Sequence, residues 1–359
     1  MSITTISRLL RPLALVHIIL GVYYLNRFKN RTFFTSVAVF CYVLLCTYAI
    51  TANYGKIHNL FALFLLFLSF NNVVTVTTIS FNQEKIQKLI EIMADITEYS
   101  KHLGVDHNCK KALRSFWNLF CFAFKCSVGL SLLLVSYVPF SCKLLMVLTH
   151  FNNAITQLNV LAFLNFCAYF YKHLKKATVA YARRSKNTSS SIVKTKLGSF
   201  CDLHLKLFKL CKASHETFYM PMLVALATKF IYLFVSPVVC YFNLMKLLTN
   251  GNHVDEFVTL IVGFLTIISA GLNILYLSDS YTYVSSKANS LAMAIVKARH
   301  HAELDDYIQE CMLKFSHRKL EFAVERICSI DREMTYSAMG SIVSVLLVVI
   351  QYHQTEHIT

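Results

Sequence analysis

The chain has 359 residues, of which 56% are hydrophobic and 15% charged, with a formal net charge of +16. Soluble domains carry about 25% charged residues, so the composition argues against an ordinary soluble globule, and nine Gly and four Pro exclude collagen-like or Pro/Gly-rich disordered chains. The twelve Cys lie mostly in apolar runs or basic loops and include no CxxC pair, which reads as buried packing residues rather than a disulfide scaffold or metal site.

The first apolar stretch, Pro12 to Asn26, lies between Arg11 and Arg27. It is short for a bilayer, which needs about 20 residues, and predicts an interfacial or partly inserted helix, with an eighth span as the alternative. No small-residue cleavage site marks it as a signal peptide. Five longer runs contain no Asp, Glu, Lys or Arg: Thr32 to Gly55, Ile57 to Gln83, Leu144 to Tyr171, Phe257 to Ser278 and Met334 to Thr355. Two more, Leu119 to Val138 and Phe218 to Leu244, contain one charge each, Lys125 and Lys229. The reading is an all-α membrane protein of seven transmembrane helices. Both lysines are expected near the inner interface, with their ammonium groups snorkelling to the headgroups.

Orientation follows from the basic residues. Five precede the first span, and the three long loops carry six, eleven and eight. The alternate loops carry only Lys56, Lys143 and Lys246, and the tail carries none. The positive-inside rule then puts the N-terminus and the long loops in the cytoplasm and the C-terminus outside. Seven-helix G-protein-coupled receptors have the reverse orientation and are argued against. A nucleic-acid partner is rejected, because the charge borders apolar spans and forms no soluble basic face with stacking aromatics. Arg183, Arg184, Lys186, Lys194 and Lys196, around a Ser/Thr run, read as a flexible juxtamembrane loop, either simply solvated or drawn to anionic membrane lipids. The sequons at Asn30 and Asn187 fall on the cytoplasmic side and are expected to be unmodified.

The inner segments carry amphipathic stripes: Ile86, Leu89, Ile90 and Met93; Leu203, Leu207 and Leu210; Leu304, Ile308, Cys311 and Phe315. A second helical piece is expected through Leu320, Ala323, Val324, Ile327 and Ile330. The stripes predict a cytoplasmic helical bundle under the membrane, packed within one chain or between chains.

The final run carries the most specific pattern. Asp331 and Gly340 precede Ser344-Val345, then five apolar residues Leu346 to Ile350, then Gln351-Tyr352. This resembles the last helix of the insect gustatory receptor family, related to the odorant receptors, whose signature is Thr-Tyr, five apolar residues, then Gln-Phe. Ser344 stands at the Thr position, Val345 at Tyr, and Tyr352 at Phe; Val345 is the one non-conservative departure. Thr335-Tyr336 is a literal Thr-Tyr pair at the wrong spacing. Seven spans, an inner N-terminus, a short outer tail and the opening Leu9-Leu10-Arg11-Pro12-Leu13 with Gly21 also look like this family, so the resemblance covers nearly the whole chain.

The resemblance implies one chemoreceptor domain over residues 1–359: an N-terminal segment 1–31, helices one to six over 32–278, cytoplasmic anchor helices over 279–333, and a pore-lining last helix over 334–353. It implies a ligand-gated, non-selective cation channel in the plasma membrane of chemosensory neurons, with monovalent and divalent cations permeating. Homo- or hetero-tetramers with related receptors are implied, with membrane lipids around them and no cofactor or metal. Ser344, Val345, Val348, Gln351 and Tyr352 are the pore-lining or gate residues so implied, and the face towards the pore stays open between Ser344-Val348-Gln351 and Val345-Val348-Tyr352. A ring of Val348 side chains would close by dewetting.

A small-molecule tastant is expected in a mostly apolar pocket with a few polar groups. Tyr137, Asn152, Asn153, Gln157, Tyr241 and Asn243, towards the outer ends of spans three to five, are the ligand-contact residues expected. His150 beside them can make binding pH-sensitive. Sugar-binding members usually have an acidic residue after Gln-Phe; here it is His353, which favours bitter or other non-sugar ligands. The rivals are a modulatory subunit that conducts only with a related partner and, further off, a small-molecule transporter, for which no internal repeat is visible. An enzyme is not expected: the fourteen His are scattered and no HExxH or paired intramembrane carboxylates occur.

Overall fold

A computed structural model describes residues 31–52, 59–105, 140–184, 188–250, 254–296, 305–316, 320, 322–324, 328–329 and 332–356. The elements are α1 (Arg31–Thr51), α2 (Asn59–Phe81), α3 (Gln83–His102), α4 (Phe140–Arg184), α5 (Ser190–Asn250), α6 (Val254–Val296), α7 (Asp305–Ser316), strands β1 (Ala323–Val324) and β2 (Cys328–Ser329), and α8 (Arg332–Glu356). Among the described residues five helices are long and apolar enough to cross a membrane, namely α2, α4, α5, α6 and α8, while α1 is a shorter apolar helix over Thr35–Thr51. The chain is therefore an all-α multi-pass membrane protein. The expected span at Leu119 to Val138, with Lys125, and the Pro12 to Asn26 stretch lie outside the described residues.

The helices α4, α5 and α6 pack on one another along their lengths, α2 lies against α4 and α5, and α1 covers α2. At 45, 61 and 43 residues the first three far exceed a bilayer-spanning helix. Much of the expected juxtamembrane loop is instead helix. Arg183 and Arg184 end α4, and Lys194 and Lys196 lie in α5. The physical reason is visible in the sequence: residues 172–217 contain no Pro and a single Gly, and Leu, Lys and Ala favour helix. An apolar stripe gives the extension something to bury, and Leu203, Leu207 and Leu210 are fully buried as their spacing predicts.

The stripe on α3 behaves the same way: Ile86, Leu89 and Met93 are buried and Ile90 half-buried. Lys206 on α5 pairs with Asp95 at 2.8 Å and lies over the Tyr99 ring. Gly104 ends α3 at φ +70°, with Gly104 N–H donating to Lys101 and Val105 N–H to Ser100. This is a Schellman closure, which favours glycine at its left-handed position.

Beyond α7 the expectation of a second helical piece fails. Ala323 pairs with Ser329 and Val324 with Cys328 in a short antiparallel ribbon. Side chains of α6 take over the backbone groups that a helix would use internally. Ser285 donates to the carbonyl of Leu320, and the Leu320 N–H donates to Asn289 at 3.3 Å. Phe322 then packs on Tyr281, centroids 4.6 Å apart. On α7 the predicted stripe holds where it is described, with Ile308 and Cys311 buried; Leu304, Ile327 and Ile330 lie outside the described residues.

A mid-span amide cluster and the last helix

Two Asn doublets meet inside the bundle. Asn71 on α2 donates to Asn153 on α4 at 3.0 Å and to Thr228 on α5 at 2.6 Å. Asn72 donates to Thr149 at 2.8 Å, and Asn152 donates to Asn72 at 2.6 Å and to the Tyr42 hydroxyl at 3.1 Å. All seven side chains are buried. Asn71 and Asn152 each stand twelve residues inside the N-terminal end of their helix, about 18 Å down the axis. Asn152 and Asn153, expected at an outer end, therefore lie near mid-span.

An aromatic group adjoins this layer, with Tyr232 one turn from Thr228, Phe64 two turns from Asn71, and His150 between Thr149 and Asn152. Tyr232 stacks on His150, centroids 4.8 Å apart, and meets Phe64 edge-on at 5.6 Å. Among the described residues the Tyr232 hydroxyl and the amide nitrogens of Asn153 and Gln157 are buried without a hydrogen-bond partner. Apolar walls with a few unsatisfied polar groups are what a small-molecule pocket offers.

The expected ligand set divides. Asn152, Asn153 and Gln157 are all buried on α4, the two Asn within the amide cluster. Tyr241 and Asn243 are not brought to it: they sit twelve or more residues beyond Lys229 on α5, and Asn243 donates to its own helix at Val239. Tyr137 lies outside the described residues. Sequence reasoning missed Asn71, Asn72, Thr149, Thr228 and Tyr42. The available signal was the repeated Asn-Asn doublet in the middle of two uncharged runs, since intramembrane amides need interhelical partners.

Lys229 corrects a second expectation. Asn82, just past the C-terminal end of α2, donates to the carbonyl of Thr217 on α5. Asn71 and Thr228 meet eleven residues higher on both helices, about 16 Å. Lys229 lies at that upper level and is 5% exposed, so its side chain is too short to reach the level of Asn82, where the uncharged runs of α2 and α5 end. Among the described residues no carboxylate pairs with it.

The last helix, α8, has three faces. Thr335 is buried, and Ala338, Ile342, Val345 and Val349 are half-buried, on the side towards α5 and α6. Tyr336, Val343 and Leu347 form an exposed apolar face. The third face runs Ser337, Ser341, Ser344, Val348, Gln351, Thr355, spaced 4-3-4-3-4, and every member is exposed. Val348, 62% exposed, is the one apolar residue in that polar row. Tyr352 is 65% exposed at its edge. The Ser341, Ser344 and Thr355 hydroxyls donate back to carbonyls one turn earlier, which leaves oxygen lone pairs facing outward. Among the described residues no three His, Cys, Asp or Glu side chains form a group able to hold a metal ion.

These features define a class: a multi-pass helical membrane protein with a polar cluster inside its bundle and an amphipathic last helix. The sequence supplies the rest. Residues 10–356 match the family of 7tm chemosensory receptors, and the chain belongs to that family. No curated protein matches it. Among solved structures it is similar to the insect olfactory receptor OR5 from Machilis hrabei. With eugenol bound, that receptor has a TM-score of 0.65 and 14% identity, and the match covers 98% of this chain and 99% of that one. A second structure of the same receptor gives a TM-score of 0.66, 12% identity and the same coverage. At these identities the likeness establishes the shared fold.

Proposed function

We propose that the protein is a gustatory receptor: a ligand-gated, non-selective cation channel opened by a small, non-sugar tastant, assembled as a tetramer around α8. The observation that carries this is the exposed row Ser337-Ser341-Ser344-Val348-Gln351-Thr355. A spanning helix that, among the described residues, packs one side on its own chain and presents a polar row on another is suited to facing water in an assembly rather than lipid. Four such rows around an axis would offer hydroxyl and amide oxygens to hydrated cations, weakly enough that ions leave. Four Val348 side chains would supply a hydrophobic constriction, and Gln351 a polar ring towards the outer mouth.

The ligand is taken at the cluster below Tyr232, where Asn153 and Gln157 hold unsatisfied amide donors. The basic segments face the cytoplasm, and the extended ends of α3 to α6 with α7 form the anchor on which subunits meet. The working membrane is the plasma membrane of chemosensory neurons. Val345, in place of the family's tyrosine, also supports a second reading, a subunit that conducts only beside a related partner.

The test is current across a bilayer holding the purified protein alone, screened with a mixed tastant panel. Ligand-evoked cation current without an imposed second-substrate gradient is expected. Saturable coupled flux in place of current would overturn the reading, as would silence of folded tetramers both alone and with related receptors.

A further inference from the structure

Lys229 on α5 is buried, and no apolar run of the chain holds a carboxylate that could meet it. Asp and Glu are absent from residues 1–83, 107–201, 217–254, 257–278 and 334–355, which take in every uncharged run and both runs that carry a single lysine. A buried ammonium is costly without an opposite charge beside it. At this level of the bundle, a balancing negative charge can come only from a molecule other than the chain.

The neighbouring groups have the same requirement. His150, Asn153 and Gln157 are three and four residues apart and share one face of α4, while Tyr232 stands three residues from Lys229 on α5. Tyr232 stacks on His150 at 4.8 Å, and the Lys229 charge acts on the same His150 ring. Asn71 bonds both Asn153 and Thr228, which draws α4 and α5 together beside Lys229. Asn153 accepts that bond through its oxygen, and its nitrogen has no partner. The Gln157 nitrogen and the Tyr232 hydroxyl are likewise buried and unpartnered among the described residues. All three groups can donate, and the ammonium is a donor only. The polarity left over is therefore a set of donors around one positive charge, and its complement is an acceptor with one negative charge.

Anion types differ in how they meet that demand. A halide gives up its hydration shell with no apolar body to offset the loss. A dianion leaves one charge unbalanced against a single ammonium. A carboxylate carries one charge and has two oxygens that accept from several donors at once. Its apolar body gains by burial beside Phe64 and Tyr232, whose rings meet edge-on at 5.6 Å.

We infer that the ligand of this site is a small organic carboxylate, with its charge on Lys229 and its oxygens on Asn153, Gln157 and Tyr232. This deepens the reading that the ligand is taken at the amide cluster and rests on it, but it does not depend on ion conduction.

The experiment measures binding by the purified full-length protein in detergent, as the probe concentration that gives half-maximal thermal stabilisation. Acetate, hexanoate and benzoate are compared with acetamide, hexanamide and benzamide, which have the same shapes without the charge, and with chloride. The tightest carboxylate is expected to bind about thirtyfold more tightly than its amide, and Lys229→Met to remove that advantage, as loss of one partner from a buried charged pair does. Gln157→Leu should weaken the same carboxylate about tenfold. Lys246→Met, an exposed cation near the C-terminal end of α5, should change it by about twofold at most. An amide or chloride binding as tightly as the carboxylate would overturn the inference. So would a carboxylate preference that survives Lys229→Met, or folded protein stabilised by none of the three acids. Amide binding that is lost in Gln157→Leu would leave the ligand at the cluster and remove only its charge. Probe binding indifferent to both Gln157→Leu and Lys229→Met would move the ligand away from the cluster and end both readings.

Discussion

The side-chain amide of Asn71 and the hydroxyl of Thr228 meet at 2.6 Å across 157 residues of sequence. The same amide donates to Asn153, so one residue of α2 ties α4 and α5 together at a single level. In hydrocarbon these groups have no water to turn to, and the bonds fix the relative height of three helices.

Asn71→Ala is expected to destabilise the protein by about 1–2 kcal/mol, because Asn153 and Thr228 keep their buried polar atoms and lose their partner. Thermal unfolding in detergent checks this. Asn71→Asp, which keeps an acceptor but removes the two donated bonds, should be worse than Ala. A melting temperature unchanged in both variants would mean the cluster does not hold the helices in register.

Lys229 follows Thr228 and carries no opposite charge among the described residues. Burying an unpaired ammonium is costly, whereas Met nearly matches its length and is apolar. Lys229→Met is therefore expected to raise thermal stability by about 1–3 kcal/mol. If Lys229 also meets a ligand beside His150 and Tyr232, the same variant loses the tastant response while retaining assembly. A less stable Lys229→Met protein would point to a native partner for the ammonium.

The legible part of this structure was periodic. Uncharged runs gave the helices, and stripes such as Leu203-Leu207-Leu210 gave the buried face of the α5 extension. What escaped was settled by partners distant in sequence. Lys229 looks interfacial when only the residues after it are counted, and the Asn82–Thr217 and Asn71–Thr228 contacts together fix its height. Leu320 to Ile330 has a helical spacing of apolar residues, but Ser285 and Asn289 on α6 take both backbone groups of Leu320 at its start. The Ser/Thr segment near Arg183 reads as loop by composition, although the stripe just beyond it carries enough burial to prolong the helix.

Cys201 on α5 and Cys311 on α7 lie with sulfurs 3.4 Å apart, 110 residues apart in sequence. Diamide is expected to join them, two thiols giving up two protons and two electrons to the azo bond, and a cross-linked peptide pair should appear on digestion. The thiol of Cys201 donates to Cys311 and holds its thiolate form at a pKa of about 7, against the opposing effect of burial. Thiolate is the attacking species, so the rate should rise with pH through about 7 and level off above it, with no further rise near an ordinary thiol's value. Mutation of either Cys to Ser must abolish the cross-link. A rate that keeps climbing beyond pH 9 would exclude the thiol–thiolate hydrogen bond.

The two valines of the last helix separate the two pore faces left open by spacing. Val345 turns towards its own chain, while Val348 interrupts the exposed polar row. A hydrophobic gate closes because apolar walls dewet a narrow passage, so a hydroxyl at that ring should wet it. Val348→Ser is expected to raise resting current about tenfold, equivalent to about 1.4 kcal/mol in the gate equilibrium. Val345→Ser should change stability more than resting current, since it removes two methyl groups from a packed face. Gln351→Ala, three residues beyond Val348 on the same row, should alter relative ion permeability at unchanged surface expression. Resting current that rises in Val345→Ser and not in Val348→Ser would turn the helix round, placing the Val345-Val348-Tyr352 face towards the ions.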